Sequence, residues 1–262
     1  MVDDRRGGNE RRPRPPSAGA PRRSGPGRAR PAQPRHATAD TVAAGPPIPD
    51  DIDARQLAPD VRRELSTLDR TTADTVARHL VAAGGLLDED PEAALSHARA
   101  ARVRASRIAA VREAVGIAAY HCGDWGQALA EFRAARRMGS KSALLALIAD
   151  CERGLGRPQR AIDLARSPEA AQLTGDDADE LRIVAAGARA DLGQLEQALT
   201  VLSTPALDPA RTGSTAARLF YAYAETLLAL GRGDEALQWF LRSAAADVEG
   251  VTDAEDRVNE LG

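Results

Sequence analysis

One short phrase recurs five times along this chain, and its spacing limits the fold more than any other feature. It reads Asp90-Pro91-Glu92-Ala93-Ala94-Leu95, Asp124-Trp125-Gly126-Gln127-Ala128-Leu129, Arg157-Pro158-Gln159-Arg160-Ala161-Ile162, Gln194-Leu195-Glu196-Gln197-Ala198-Leu199 and Gly233-Asp234-Glu235-Ala236-Leu237. The shared alanines, Ala94, Ala128, Ala161, Ala198 and Ala236, lie 34, 33, 37 and 38 residues apart. A fixed period in this range is the mark of stacked supersecondary units, each too small to bury its own apolar face. Four of the phrases follow a glycine (Gly123, Gly156, Gly193, Gly231) that closes an Ala/Leu-rich stretch, where a helix stops in the left-handed conformation. Each unit is therefore expected to be a helical hairpin. A second small residue stands twelve positions before each shared alanine (Ala82, Gly116, Ala149, Ala186, Ala224), which lets the two helix backbones approach closely. Alanine supplies 54 of 262 residues and aromatics 3%, so propensity also favours helix and argues against a large β-sheet.

The pattern resembles the tetratricopeptide repeat over about residues 71 to 246. A large side chain four places after the shared alanine fits as well, as Phe132, Leu202 and Phe240. The chain departs from the family's pattern in three ways. The aromatic early in the first helix survives only as Phe220, a proline closing each unit is missing, and extra residues fall at 168–177 and 205–213. The resemblance implies an all-α, right-handed α-solenoid of about five hairpins. Its first helices would line a concave groove for an extended peptide or partner helix. An Arg-rich head before Ala/Leu/Gly-rich hairpins is also similar to repeat proteins of high-GC actinobacteria, a likeness that brings no activity with it.

Four regions are expected: an Arg/Pro-rich tail over 1–50, a capping helix over 51–70, the repeats over 71–247 and an acidic capping helix over 248–262. The tail holds ten Arg against five acids and almost no bulky apolar residue, so it is expected to be disordered. Residues 51–262 hold 25 basic and 33 acidic side chains, so the tail is +5 and the body −8. Three roles are open to the tail. It solubilises the chain, it contacts nucleic acid or ribosomal surfaces through phosphate, or it folds back on the acidic repeats. At the near end Pro59 opens a helix with Val61, Leu65 and Leu68. At the far end Thr252-Asp253-Ala254-Glu255 reads as a capping box before Val258 and Leu261, giving a helix that either seals the stack or frays.

No apolar run approaches the length that crosses a bilayer, no apolar stretch follows the N-terminal arginines as in a secretory signal, and two cysteines cannot build a disulfide framework. Cytoplasm is the expected location. Catalytic groups, a metal site and a cofactor site are not expected. His36, His79, His97 and His121 show no i, i+4 pair and read as scattered surface histidines. His121 and Cys122 diverge by about 100° on a helix and do not form a dyad. Cys122 and Cys151 read as small core fillers. Gly139-Ser140-Lys141-Ser142 lacks the glycines of a phosphate loop and reads as a helix stop followed by an N-cap at Ser140.

What remains is a binding scaffold with a protein partner. Nucleic-acid or ribosome association through the tail is the alternative. Carried over from the resemblance, the groove positions are Val76, His79, Ala83 and Leu86; Glu113, Ile117, Tyr120 and His121; Ala146, Asp150 and Arg153; Glu180, Ile183 and Asp191; and Arg218, Tyr221 and Glu225. Tyr120 and Tyr221 either anchor a ligand or pack between hairpins. Asparagine occurs only at Asn9 and Asn259, and the one lysine is Lys141, so a clamp for carboxylate tails is not expected. A mixed apolar and acidic groove would accept a basic or apolar segment instead.

Overall fold

The computed structural model describes residues 45–140 and 143–262, and the expectations placed on residues 1–44, Lys141 and Ser142 lie outside them. Among the described residues there is no strand, and twelve α-helices are joined by short turns. The first, α1 (Pro59–Leu65), does begin at its proline. Five hairpins follow: α2 (Arg70–Leu86) with α3 (Pro91–Ala105), α4 (Ala109–His121) with α5 (Trp125–Arg137), α6 (Leu145–Gly154) with α7 (Pro158–Ala165), α8 (Gly175–Asp191) with α9 (Leu195–Leu202), and α10 (Ser214–Ala229) with α11 (Gly233–Ala246). A last helix, α12 (Ala254–Leu261), packs on α11. Each hairpin packs internally, and its second helix also packs on the first helix of the next hairpin.

The turn chemistry read from the sequence accounts for four of the five hairpins. Gly123, Gly156, Gly193 and Gly231 have φ of 71°, 71°, 71° and 76°. After each, the next amide reaches back five residues: Asp124 to Ala119, Arg157 to Glu152, Gln194 to Arg189 and Arg232 to Leu227, at 2.8–3.0 Å. This is the Schellman closure, which uses up helix-end carbonyls and aims the chain straight into the second helix. The shared alanines Ala94, Ala128, Ala161, Ala198 and Ala236 are all fully buried, as are Phe132, Leu202 and Phe240. At Gly116 the reason for a small residue is direct, because a Cβ there would stand 2.6 Å from the Phe132 ring. The apolar faces form a succession of clusters along the stack, as expected when each unit covers its neighbour.

Buried carboxylates held by paired arginines also tie units together. Glu131 on α5 accepts from Arg102 of α3 and Arg112 of α4. Glu152 on α6, with 0% exposure, accepts from Arg133 of α5 at 2.6 Å and from Arg157 at 3.4 Å. Asp179 on α8 accepts from Arg182 at 2.9 Å and from Arg211. A buried charge is tolerable only when paired and hydrogen-bonded in this way.

Three local expectations need correction. His79 and His97 are not surface histidines: the hairpin brings α2 and α3 face to face, so residues 18 apart become neighbours, with the two Nδ1 atoms 3.0 Å apart and both rings buried. Ser140 does not cap a helix, since α6 starts only at Leu145; its hydroxyl bonds Glu113 instead. No capping box forms around Thr252 either, because α12 begins one residue later than expected and Thr252 donates to the Asp247 carboxylate at 2.7 Å.

Packing also begins ahead of Asp51. Arg78 donates to the Ile52 carbonyl at 2.9 Å and the Pro49 carbonyl at 3.3 Å. Gly45, at φ 76°, lies so close to the first hairpin that a Cβ would stand 2.5 Å from that of Ala100. Val61 and Leu68 pack with buried Leu65 against Val76, Leu80 and Val111.

Candidate functional site

The ends of the first helices α4, α6 and α8 are joined through side chains, and there several of the expected groove residues meet. On α4, Tyr120 donates its hydroxyl to Asp150 of α6. One helical turn on, Arg153 donates to Asp150 at 2.7 Å and spans to Asp191 of α8 with Nε at 2.8 Å and Nη2 at 3.2 Å. This chain of bonds links three consecutive hairpins. Burial depresses the Arg153 guanidinium, but its bonds to Asp191 and Asp150 outweigh that and leave its pKa raised. The Tyr120 hydroxyl is pushed well above its usual value, first by burial and then by the Asp150 carboxylate it faces. Both groups hold their protons at any physiological pH.

Two glycines make room for this arrangement. The Arg153 guanidinium lies over Gly187 of α8, where a Cβ would come within 2.8 Å of its Cζ. Trp125, the first residue of α5, lies against Gly154, where a Cβ would meet the indole at 2.5 Å, and meets the Tyr120 ring edge-on at 5.0 Å. Together Trp125, Asp150, Arg153, Gly154, Pro158 and Asp191 surround an open pocket of about 500 Å³. Its wall contains the C-terminus of α6, whose partial negative charge adds to the two carboxylates.

Elsewhere the expected positions behave differently. His79 does not line an open groove: it is 1% exposed, covered by His97 and the segment at Gly45, while Val76 (0%) and Ala83 (3%) are buried in the apolar clusters on either side of it. Glu113 bonds Ser140, and Ile117 packs between hairpins. His121 is exposed, 4.0 Å from Asp88. Glu180 of α8 pairs with Arg218 of α10, and Ile183 packs on the cluster of Leu202 and Leu219. Tyr221 meets the Phe240 ring edge-on at 5.3 Å, and its hydroxyl is raised first by burial and then by its hydrogen bond to Asp253. Glu225 accepts from Arg257 of α12 at 2.8 and 3.0 Å. The last helix and the Asp253 before it thus engage Glu225 and Tyr221, Arg218 stays exposed, and the pocket near Trp125 stays open.

Sequence reasoning passed over Trp125, Gly154 and Gly187. A signal for Trp125 was present: the other four units place Pro91, Pro158, Leu195 and Gly233 at the start of the second helix, and this one alone places a tryptophan there.

Five hairpins, stacked through alanine contacts and four of them closed by glycine turns, make up the stack. The fold is tetratricopeptide-like. No protein-family model matches the chain, and no curated protein matches it. Among solved structures it is similar to YrrB, described as a TPR protein with an unusual peptide-binding site, at 18% identity and a TM-score of 0.43, over 76% of this chain and 97% of that one. No described helix is long and apolar enough to cross a membrane, and no group of three or more metal-ligating side chains occurs among the described residues.

Proposed function

We propose that the chain is a protein-interaction scaffold and that the pocket bounded by Trp125, Asp150, Arg153 and Asp191 receives a basic side chain of a partner segment. The observation that carries this reading is the meeting of groups from three successive hairpins at one open pocket of about 500 Å³. Two carboxylates and the end of α6 outweigh the single Arg153, which leaves the pocket net negative. Trp125 supplies an aromatic surface, and a guanidinium or ammonium group is attracted both to such a ring and to carboxylates. The groups are held in place by one another before any ligand arrives, which lowers the entropic cost of binding.

Selection from a random peptide library on the full chain, run beside a Trp125→Ala, Asp191→Ala double variant, tests the reading. The expected outcome is enrichment of Arg- or Lys-containing peptides on the native chain and its loss on the variant. Equal recovery by both, or enrichment of acidic peptides, would refute it.

A further inference from the structure

The two stretches that break the repeat period leave a mark on the opposite side of the hairpins. The second helices α7 and α9 are only 8 residues long, against 15, 13 and 14 in α3, α5 and α11. Each leaves the helix early, and its remaining residues form the loops at 166–174 and 203–213. The back of α8 is left partly uncovered between α7 and α9, where a cavity of about 180 Å³ opens. Its apolar walls come from Ile162 of α7, Leu181 and Ala185 of α8, and Val201 of α9.

The polar groups in that cavity all carry the same sign. Arg166, Arg182 and Arg189 line it, and no acid does. Asp179, the carboxylate bonded to Arg182, is also bonded by Arg211. Arg189 donates to the Gln194 side chain at 3.0 Å. Arg182 is the informative member. Its side chain is one-tenth exposed; Nη1 donates to Asp179, and Nη2 donates to the carbonyls of Leu202 and of Pro205, the latter at 3.1 Å. Its Nε is buried with no acceptor. A buried donor without an acceptor is uncommon in folded proteins, and it leaves the Arg182 charge incompletely compensated beside the cavity. Burial holds the Arg182 guanidinium below the ordinary arginine value, and an anion beside it would reverse that shift.

We infer that this cavity is a binding site for a small branched aliphatic carboxylate, whose hydrocarbon end packs on Ile162, Leu181 and Val201 while its carboxylate accepts from Arg166 and lies in the positive field of Arg182 and Arg189. An apolar cavity of about 150 Å³ accommodates benzene, so about 180 Å³ suits a ligand of roughly eight non-hydrogen atoms. The same chemistry is offered by a free branched-chain acid and by the C-terminal leucine of a peptide. The site is independent of the Trp125 pocket, and neither reading depends on the other.

NMR titration of the full chain with 4-methylpentanoate, N-acetyl-leucine and 4-methylpentan-1-ol tests the inference. Saturable shifts of α7–α9 resonances at about 1–10 mM acid are expected, with little response to the alcohol. Arg166→Gln, at an exposed position, should weaken binding about tenfold, and Ala165→Leu, which fills the mouth of the cavity, should abolish it. Arg166→Gln should keep the native melting curve; Ala165 is half-buried against the Ile162 and Leu181 cluster, so Ala165→Leu is read only where its melt and helicity remain native, and Arg166→Gln carries the test by itself. A response to 4-methylpentanoate alone would identify a free acid as the ligand, and one to N-acetyl-leucine a chain terminus. No saturable shift by either acid up to about 50 mM, or equal binding of acid and alcohol, would overturn the inference.

Discussion

Replacing Gly116 with alanine sets two effects of known sign against each other. In a helix interior the change gains about 1 kcal/mol of propensity. Against this, the added Cβ would stand 2.6 Å from two carbons of the Phe132 ring, where carbon atoms normally rest about 3.5–4.0 Å apart. The ring must retreat by roughly 1 Å, and it has nowhere easy to go, being 0% exposed and surrounded by Val115, Ala119 and Ile148 in one cluster. Overpacking of this kind costs about 1–3 kcal/mol, so the net expectation is a loss of about 0–2 kcal/mol, centred near 1, and a Tm lower by up to roughly 6 °C. Gly84→Ala is the matched control: it is also helical and has nothing within 4 Å of its Cβ, so it should hold stability level or raise it by up to about 1 kcal/mol. Thermal and urea melts followed by helical circular dichroism would read both. If Gly116→Ala gained about 1 kcal/mol, as an unobstructed helical glycine does, the close approach of α4 and α5 at this position would be refuted.

Arg133→Ala should cost about 3 kcal/mol in urea denaturation, because it leaves the fully buried Glu152 with Arg157 alone; a loss below about 0.5 kcal/mol would show that the pair does not secure α5 to α6. Burial, and next to it the charge of His97, holds His79 at about 4, below its ordinary 6.5. The folded state therefore binds fewer protons than the unfolded one. Stability should be complete above pH 6.5 and fall as pH drops toward 4, by about 3 kcal/mol, and His79→Gln should flatten that slope. Gly187→Ala should leave the melting temperature within about 2 °C, since the atoms displaced are the far end of a single partly exposed side chain, Arg153, yet weaken binding of a basic peptide several-fold by moving Arg153 off Asp191. Unchanged peptide affinity in a binding isotherm would show that the Arg153 position is immaterial.

The hairpin register was legible because it rests on local rules. A glycine after four of the five first helices and a small residue at each close contact meet demands of backbone geometry, whatever the partner helix carries. The ends were less legible. Thr252 satisfied the pattern of a capping box but found a nearer acceptor in Asp247, and the choice between them depends on loop geometry that the pattern does not encode. His79 and His97 share no sequence spacing that marks a pair, since their contact is created by the turn between α2 and α3. The groove positions were carried over by register alone. That placed Tyr120, Asp150, Arg153 and Asp191 near one another, but it could not show that α12 engages Glu225 or that the segment at Gly45 covers His79.

The chain contains two tryptophans, Trp125 at the pocket and Trp239, which packs on Phe220 and Tyr223. A Trp239→Phe variant therefore reports on the pocket alone. Titrating it with a short Arg-containing peptide should give a saturable change in Trp125 fluorescence that weakens as salt is raised and disappears on Asp191→Ala. A Trp125 signal that stays flat to millimolar peptide, or that changes equally with an acidic peptide, would contradict the scaffold function assigned to this face.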